Sequence, residues 1–202
     1  MNTRERIQTG AFELFKKRGF KSVTMDEIAK SLQMSKRTIY ENFEDKHELI
    51  HTIIEIEIKK SVCQFENIMK NNDNVYVALQ QIDNIHKESF KNSSPLLQTD
   101  LKKYYSAILD NVAKLFFEAR NKAINITLAQ GIKQGVFLES ININAIALMF
   151  EDIMDFSIRK IEEKKFTDKD MIDCFVVLLR GISTEKGLEY MSCKKNNQQN
   201  KI

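Results

Sequence analysis

The sequence predicts an all-α protein, and three observations point to this class. Only six glycines and one proline occur in 202 residues, well below the roughly 12% that these turn-forming residues usually contribute together. A β-sandwich or barrel needs a tight turn about every 8–12 residues, and this chain lacks the residues for so many turns. Apolar residues instead recur at helical spacing along most of the chain. Hydrophobic residues make up 43% and charged residues 29% of the sequence, which indicates a globular chain.

The first three predicted helices are set by their start and end signals. The first carries an apolar face and ends at Gly19, a residue that readily adopts the left-handed conformation found at helix C-termini. Thr24 and Glu27 predict a capping box at the start of the second helix, because each side chain can bond the backbone N–H of the other. Ser35 is a good N-cap for a short third helix over residues 36–43.

Six further helices are predicted downstream, which makes about nine in all. Their limits follow from polar breaks and caps: a fourth from 45 to about 70, a fifth after 71–74, a sixth at Pro95, a seventh from about 102 to 134, an eighth from 142 or 144 to about 163, and a ninth from 167 or 168 to between 181 and 187. The polar residues 191–202 are expected to form a disordered tail.

The first fifty residues carry the most informative pattern. A net charge of +3 is too small to indicate a nucleic-acid partner, so such a function needs a local motif. Two helices of about eight residues joined by a short break predict a helix-turn-helix over residues 24–43. The second helix of this motif fits the major groove, about 12 Å wide, and presents its N-terminal turn to base edges. That turn holds hydroxyls and cations and no carboxylate: Ser35, Lys36, Arg37 and Thr38.

Residues 7–50 also carry a longer pattern in one register without gaps. A helix ending in Gly-Phe precedes a Thr-capped helix with Ile-Ala, and Ser-Lys-x-Thr-Ile-Tyr-x-x-Phe, a Lys and a Leu follow. The carrying residues are Ala11, Leu14, Phe15, Gly19, Phe20, Thr24, Ile28, Ala29, Ser35, Lys36, Thr38, Ile39, Tyr40, Phe43, Lys46 and Leu49. The pattern resembles the TetR family of bacterial transcriptional regulators. This resemblance implies a homodimer whose N-terminal domain (residues 1–50) binds double-stranded DNA and whose C-terminal helical domain (residues 51–190) holds a small-molecule pocket and the dimer interface.

The resemblance implies roles for individual residues in DNA binding. Thr24, Tyr40 and Lys46 would contact phosphates, Lys46 with help from the N-terminus of the fourth helix. The turn residues 35–38 would face bases or the edge of the groove. For Arg37 the alternative is a solvated position on the helix surface, and for Tyr40 it is a partly buried position.

Three positions depart from the family's usual pattern. Gln33 stands in the turn where the family often has glycine, and a left-handed conformation there would cost about 1 kcal/mol. Glu41 and Asn42 stand where the family often has histidine or tyrosine. Glu41 would repel phosphates, accept from a cytosine amino group or point away from DNA, and the sequence leaves these alternatives open.

Dimerisation is predicted from two helices that are apolar on nearly all sides. Eleven of the 16 residues 143–158 and nine of the 12 residues 171–182 are apolar. Such helices must be buried on nearly all sides, and a second copy of the chain is the economical way to cover them. The alternative is that both belong to the core of one chain. The expected interface residues are Ile146, Phe150, Ile153, Phe175, Val176 and Leu179.

A ligand pocket is predicted from large aromatic and methionine residues on the fourth, fifth, seventh and eighth helices. Pockets use such residues together with a few polar groups, although hydrophobic cores use them as well. The candidate residues are Phe65, Met69, Ile82, His86, Phe90, Tyr104, Tyr105, Ile108, Phe116, Phe150 and Met154. For His86, a place in the core and a place lining the pocket both fit.

No enzyme, metal site or cofactor is expected. The chain shows no nucleophile–base pair, carboxylate pair or metal cluster at usable spacing. His47 and His51 are one helical turn apart, but Cys63 lies about 18 Å further along the helix and cannot complete a site with them. The three cysteines form no CxxC pair and are expected to be inert thiols.

The expected compartment is the cytoplasm, with no membrane partner. The N-terminus lacks a signal peptide, and the longest uncharged run, residues 140–150, is too short to span a membrane. The sequence therefore predicts a sequence-specific DNA-binding regulator. The form we expect is a repressor that a small molecule releases from a pseudo-palindromic operator. The alternative is a helical dimeric adaptor or ligand-binding protein that has lost DNA binding.

Overall fold

A computed structural model describes residues 2–199, with all of their side chains except those of Phe90, Gln98, Glu162, Asp168 and residues 193–199. This part of the chain contains ten helices and no β-strand, which confirms the predicted all-α class. The helices are α1 (Thr3–Arg18), α2 (Met25–Ser31), α3 (Lys36–Asn42), α4 (Lys46–Lys70), α5 (Val75–Lys91), α6 (Leu96–Tyr104), α7 (Ser106–Lys133), α8 (Ile143–Glu162), α9 (Asp168–Ile182) and α10 (Glu185–Gln199).

The structure differs from the sequence prediction at the C-terminus. The predicted ninth helix corresponds to α9, which ends at Ile182 because Ser183 takes an extended conformation (φ −84°, ψ 144°). A tenth helix, α10, follows it and was not predicted from the sequence. The chain then continues as a helix as far as Gln199, so the tail predicted from residue 191 is helical over 191–199. No Gly or Pro follows Gly187, which leaves no strong helix breaker in this stretch. Residues 200–202 of the predicted tail lie outside the described residues.

The chain divides into two compact units. Unit 1 comprises the residues up to Cys63 together with Asp83–Ala119, and unit 2 comprises Gln64–Ile82 together with the residues from Arg120 onward. This division differs from the boundary predicted at residue 50. The reason is that apolar residues of the first half of α4 and the start of α7 share one core with α1–α3; they include Leu49, Ile50, Ile53, Ile58, Ile108 and Val112.

Unit 1 is built on a closely packed apolar centre. The side chains of Ile7, Phe15, Ile28 and Ile39 are fully buried there, one or two from each of α1, α2 and α3. Burial of this kind contributes about 1.5–3 kcal/mol per large apolar side chain, and it fixes the three short helices against one another. The buried face of the helix-turn-helix thus includes Ile28, Ile39 and Phe43.

Helix α6 lies directly against the turn between α1 and α2. The backbone N–H of Lys21 donates to Asp100 Oδ2 (2.8 Å), and the N–H of Ser94 donates to the carbonyl of Lys16 (2.6 Å). Gly19 has φ +81°, and a Cβ on it would lie 2.6 Å from Asp100 Oδ2 and 2.9 Å from Leu96 Cβ. Only glycine fits this position without displacing α6.

Unit 2 holds the pair α8 and α9 and a polar cluster centred on Arg120. The rings of Phe150 and Phe175 stack between the two helices with centroids 5.5 Å apart. Arg120 of α7 donates to the buried carboxylate of Glu151 and, at 3.0 Å, to Asp155 Oδ1. This ion-pair cluster links α7 to α8 inside the unit.

Candidate nucleic-acid interface

The turn of the helix-turn-helix uses a strained residue. Gln33 has φ +55°. This is the left-handed conformation that the family often provides with glycine at this position. Such a conformation costs about 1 kcal/mol or more for a residue with a Cβ. It is held by two backbone bonds that follow α2: Gln33 N–H to Lys30 O (3.2 Å) and Met34 N–H to Ala29 O (2.9 Å). The turn therefore forms without glycine.

Helix α3 presents its first turn to solvent. Its N-cap is Ser35, whose Oγ accepts from the backbone N–H of Thr38 (2.9 Å) and lies 2.8 Å from Thr38 Oγ1. Ile39 faces the core and is fully buried, whereas the Arg37 side chain is 88% exposed. A helix with one face buried in the core and the other exposed can enter a major groove by its N-terminal turn.

Both cations of this turn are paired with carboxylates in the free protein. Arg37 Nε donates to Glu41 Oε1 (2.7 Å) one turn further along α3, and Lys36 Nζ contacts Asp26 of α2. All four side chains are exposed, and such surface ion pairs contribute only about 0–1 kcal/mol each. DNA can therefore displace either carboxylate at small cost. The pairing of Glu41 with Arg37 was not among the three roles considered for Glu41 from sequence, although their i,i+4 spacing is its signal.

The three residues expected to contact phosphates lie on α3 and at the starts of α2 and α4. Thr24 caps α2, accepting from the Glu27 N–H (3.2 Å) while Glu27 Oε2 accepts from the Thr24 N–H (2.8 Å). Tyr40 is 51% exposed on α3. Lys46 is the first residue of α4, where the helix N-terminus also attracts anions.

Lys46 is half-buried, and its ammonium lies 5.8 Å from the centroid of the Tyr105 ring. It donates to the carbonyl of Lys21 at 3.3 Å. Burial lowers the pKa of Lys46, and the nearby Asp100 and Glu27 carboxylates act in the opposite direction. A phosphate oxygen at this place would supply a strong acceptor that the free protein lacks, so the geometry suits a phosphate contact.

Arg4 is a supporting residue that sequence reasoning missed. Its guanidinium lies 4.0 Å from the centroid of the Phe43 ring, donates to the carbonyl of Asn42, and pairs with Glu48 Oε1 (2.8 Å). It therefore ties α1 to the end of α3 and the start of α4. No sequence signal marks it, because Arg4 precedes the apolar repeat of α1. Asn42, uncertain from sequence, is half-buried and donates to Thr38 O (2.8 Å).

The candidate pocket residues are divided between the two units. In unit 1, Tyr105 and Ile108 are buried in the core described above, while His86, Tyr104 and Phe116 are exposed. In unit 2, Met69 and Ile82 are buried, and Phe65, Phe150 and Met154 are half-buried. The side chain of Phe90 lies outside the described residues. The exposure of His86 favours neither of its predicted positions, and the pocket stays a prediction.

The expected interface residues lie on the two helices that pack together in unit 2. Ile146, Phe150, Ile153, Phe175 and Leu179 are half-buried, and Val176 is exposed. The same helices expose further apolar side chains that were not singled out from sequence: Leu148, Met149, Phe156, Ile158, Ile172 and Val177. Periodicity could not rank these, because both helices are apolar on nearly every side.

The described part of the chain contains neither a metal-binding cluster nor a membrane-spanning helix. Among the side chains that the structure describes, no group of three or more His, Cys, Asp or Glu is placed to bind a metal ion. In the same part of the chain, no helix combines the length and apolar character needed to cross a membrane.

Comparison with known proteins agrees with this geometry. The model of the family "Bacterial regulatory proteins, tetR family" matches residues 7–53. An HTH-type transcriptional regulator of Staphylococcus aureus (strain bovine RF122 / ET3-1) is 32% identical over 68 residues, which are 34% of this chain and 37% of that protein. Another, from S. aureus strain USA300, is 25% identical over 155 residues, covering 73% of this chain and 82% of that one.

Solved structures share the fold over nearly the whole chain. A TetR transcription regulator from Haloarcula marismortui superposes with a TM-score of 0.64 at 14% identity, covering 90% of this chain and 98% of that one. A SmeT–triclosan complex superposes with a TM-score of 0.56 at 16% identity, covering 91% and 92%. Residues 7–53 of this chain therefore match the tetR family of bacterial regulatory proteins, and the chain has the fold that these solved regulators share.

Proposed function

We propose that this regulator is a homodimeric repressor, which a small-molecule ligand releases from a pseudo-palindromic operator. The observation that carries the DNA-binding part is the exposed first turn of α3. It places Ser35, Lys36, Arg37 and Thr38 on a rigid core, with the expected phosphate contacts Thr24, Tyr40 and Lys46 around them. In this proposal the four turn residues read bases or the groove edge, and the other three hold the backbone.

The homodimer is supported by the apolar side chains that α8 and α9 expose. Leu148, Ile172 and Val177 are each more than half exposed in the single chain. A patch of this kind on a soluble chain marks an interaction site, and a two-fold interface would cover it with its own copy. Two subunits then place two α3 helices on DNA, so the half-sites lie one or more turns apart, about 34–36 Å per turn.

Arg37 and Lys46 should have different roles in DNA binding. Arg37→Ala is expected to cost about 1–3 kcal/mol per lost base contact and to relax the preference at one base pair of each half-site. Lys46→Ala is expected to weaken binding to all sequences alike and to lower the salt slope by about two units, one per subunit. Binding-site selection at fixed salt, followed by salt titration of the selected duplex, measures both effects.

A third variant, Glu41→Gln, distinguishes two of the roles that the sequence left open for Glu41. It keeps the length of the side chain that pairs with Arg37 and removes its charge, so it should strengthen binding to unrelated DNA if the carboxylate lies near phosphates. It should instead relax specificity if Glu41 accepts from a cytosine. If wild type and Arg37→Ala select the same motif with equal stringency, then Arg37 is a surface residue and the proposed base-reading role is wrong.

The ligand is proposed to be an apolar or aromatic small molecule, neutral or cationic. The predicted pocket residues are large and mostly apolar, and no charged residue is among them. Neighbours of the same fold include a complex with triclosan and a gamma-butyrolactone receptor, which supports small-molecule binding as a use of this fold. We place the protein in the cytoplasm, where DNA and metabolites are both present, and assign it no catalytic activity.

A ligand found by thermal shift should also release operator DNA. At 100-fold its dissociation constant a ligand adds about 2.7 kcal/mol to the free energy of unfolding, which a melting curve detects. Release requires that the ligand bind one conformation better than the other, and a shift from 1:99 to 99:1 takes about 5.5 kcal/mol. Fluorescence anisotropy of a labelled operator checks this linkage. An operator affinity that stays unchanged when a confirmed ligand saturates the protein would show that ligand binding and DNA release are not coupled.

A further inference from the structure

Two cations beside the helix-turn-helix, Lys21 and Lys103, have no role described so far, and both contact Tyr104, which the sequence analysis listed for the pocket. Lys21, in the turn before α2, donates from Nζ to the hydroxyl of Tyr104 at the end of α6 (2.9 Å). Its ammonium lies 4.3 Å from the centroid of the Tyr104 ring, and the ammonium of Lys103 lies 5.4 Å from the same centroid. Two positive charges therefore share one exposed aromatic ring, and we call these three residues the Tyr104 patch.

Two carboxylates of the elements around the patch are already engaged. Asp100 is buried and accepts the backbone N–H of Lys21. Glu27 accepts the N–H of Thr24 and pairs with Arg18 (2.8 Å). The two ammonium groups of the patch are thus held near one another with an excess of positive charge, and a bound anion would relieve their repulsion.

Hydrogen bonding within the patch also changes the pKa values of Lys21 and Tyr104. The bond that the Lys21 ammonium donates to Tyr104 raises the pKa of Lys21, and bonds from Lys21 and Lys103 lower the pKa of Tyr104. Lys21 therefore remains cationic wherever the protein binds DNA.

The patch adjoins the residues expected to hold phosphates. The carbonyl of Lys21 accepts from Lys46 Nζ (3.3 Å), and Lys21 precedes the helix cap Thr24 by three residues. Lys46, Lys21 and Lys103 thus form a row of cations that starts at the N-terminus of α4 and ends on α6. DNA carries a regular series of charges, one per about 1.7 Å of helix axis, so a row of cations matches its backbone.

We propose that the Tyr104 patch is a second phosphate-binding site, which extends the contact with the operator backbone from the helix-turn-helix onto α6. This inference rests on the proposed DNA-binding role of α3 and its surroundings, and it adds α6 to the DNA-binding surface. The ligand of the patch is the phosphodiester backbone, so the contact adds affinity and salt dependence and carries no sequence preference.

The test compares the salt dependence of operator binding among lysine variants of the full chain. Lys21→Ala and Lys103→Ala should each lower the slope of log affinity against log salt by about two units for the dimer, and the double variant by about four. Lys21→Arg and Lys103→Arg should keep the wild-type slope. Lys59→Ala, an exposed lysine in the middle of α4, is the control for a general loss of charge and should leave the slope unchanged.

A second measurement identifies the phosphates. Operator duplexes that carry one uncharged methylphosphonate each are bound to wild type and to the double Lys21→Ala, Lys103→Ala variant. At one or two positions per half-site the neutral linkage should weaken wild-type binding and leave the double variant unaffected, as expected for two partners of one contact.

The outcomes separate this inference from the proposed function. Slopes equal to that of Lys59→Ala overturn the inference, and so does a loss of slope without any position-specific effect of the methylphosphonates, which would indicate general charge alone. If wild type selects no DNA sequence, the proposed function itself fails. Wild-type binding with unchanged variant slopes rejects only the role of the patch.

Discussion

A Val177→Glu variant is expected to be monomeric and to lose tight operator binding. Val177 lies on α9 and is 71% exposed in the single chain, so the substitution leaves the fold of one subunit intact. In the proposed dimer it would bury an unpaired carboxylate in each subunit, which costs about 3–5 kcal/mol per uncompensated charge. Even one such charge raises the dissociation constant of the dimer at least about a hundredfold, since 1.4 kcal/mol is tenfold.

The matched control is Val77→Glu, the same change at a valine of α5 that is 51% exposed. It should leave the dimer intact, because no dimer contact is proposed there. Light scattering gives the mass, and gel shift with the selected operator gives the affinity. Phe175 is a poorer position for this test, because its ring stacks on Phe150 within the subunit and a charge there would also disturb the fold. A dimer that survives glutamate at Val177 and at Ile172 would place the interface elsewhere.

Loss of Arg120 should destabilise unit 2 more than loss of any exposed cation. The Glu151 side chain is only 5% exposed, and its Oε1 has no hydrogen-bond partner among the described residues. Arg120→Met would therefore leave a buried carboxylate without its counter-ion, and we expect the free energy of unfolding to fall by about 3–5 kcal/mol. Urea unfolding followed by circular dichroism measures this change.

Lys122→Met provides the comparison on the same helix. Its ammonium pairs with Glu66, but both side chains are well exposed, so the expected loss is below about 1 kcal/mol. The double variant Arg120→Met, Glu151→Met should recover most of the stability, because it removes both charges at once. Equal losses for Arg120→Met and Lys122→Met would show that the buried pair stabilises unit 2 no more than a surface pair does.

The predictable parts of this molecule are those that depend on neighbours in sequence. The caps at Thr24, Ser35 and Asn142 act within three residues, and each is observed with its expected backbone partner. The buried face of the helix-turn-helix follows from helical spacing for the same reason. Local signals therefore sufficed for the helices of the DNA-binding region and for the exposed turn that we propose reads bases.

The parts that escaped prediction depend on contacts between distant segments. Arg4 reaches Glu48, and Asp100 reaches the N–H of Lys21, across 44 and 79 residues. Neither contact has a periodic or capping signal, and either residue could equally have faced solvent. The pocket shows the same difficulty, since Tyr105 and Ile108 look like pocket residues by type and prove to be buried in the core of unit 1.

The close approach at Gly19 restricts how this chain can change over evolutionary time. A side chain at this position would collide with Asp100 and Leu96, so position 19 can vary only after α6 has given way. Replacement of Asp100 would in turn leave the N–H of Lys21 in need of another acceptor. Positions 19, 96 and 100 should therefore vary together among descendants of this sequence, although nearly eighty residues separate the turn from α6.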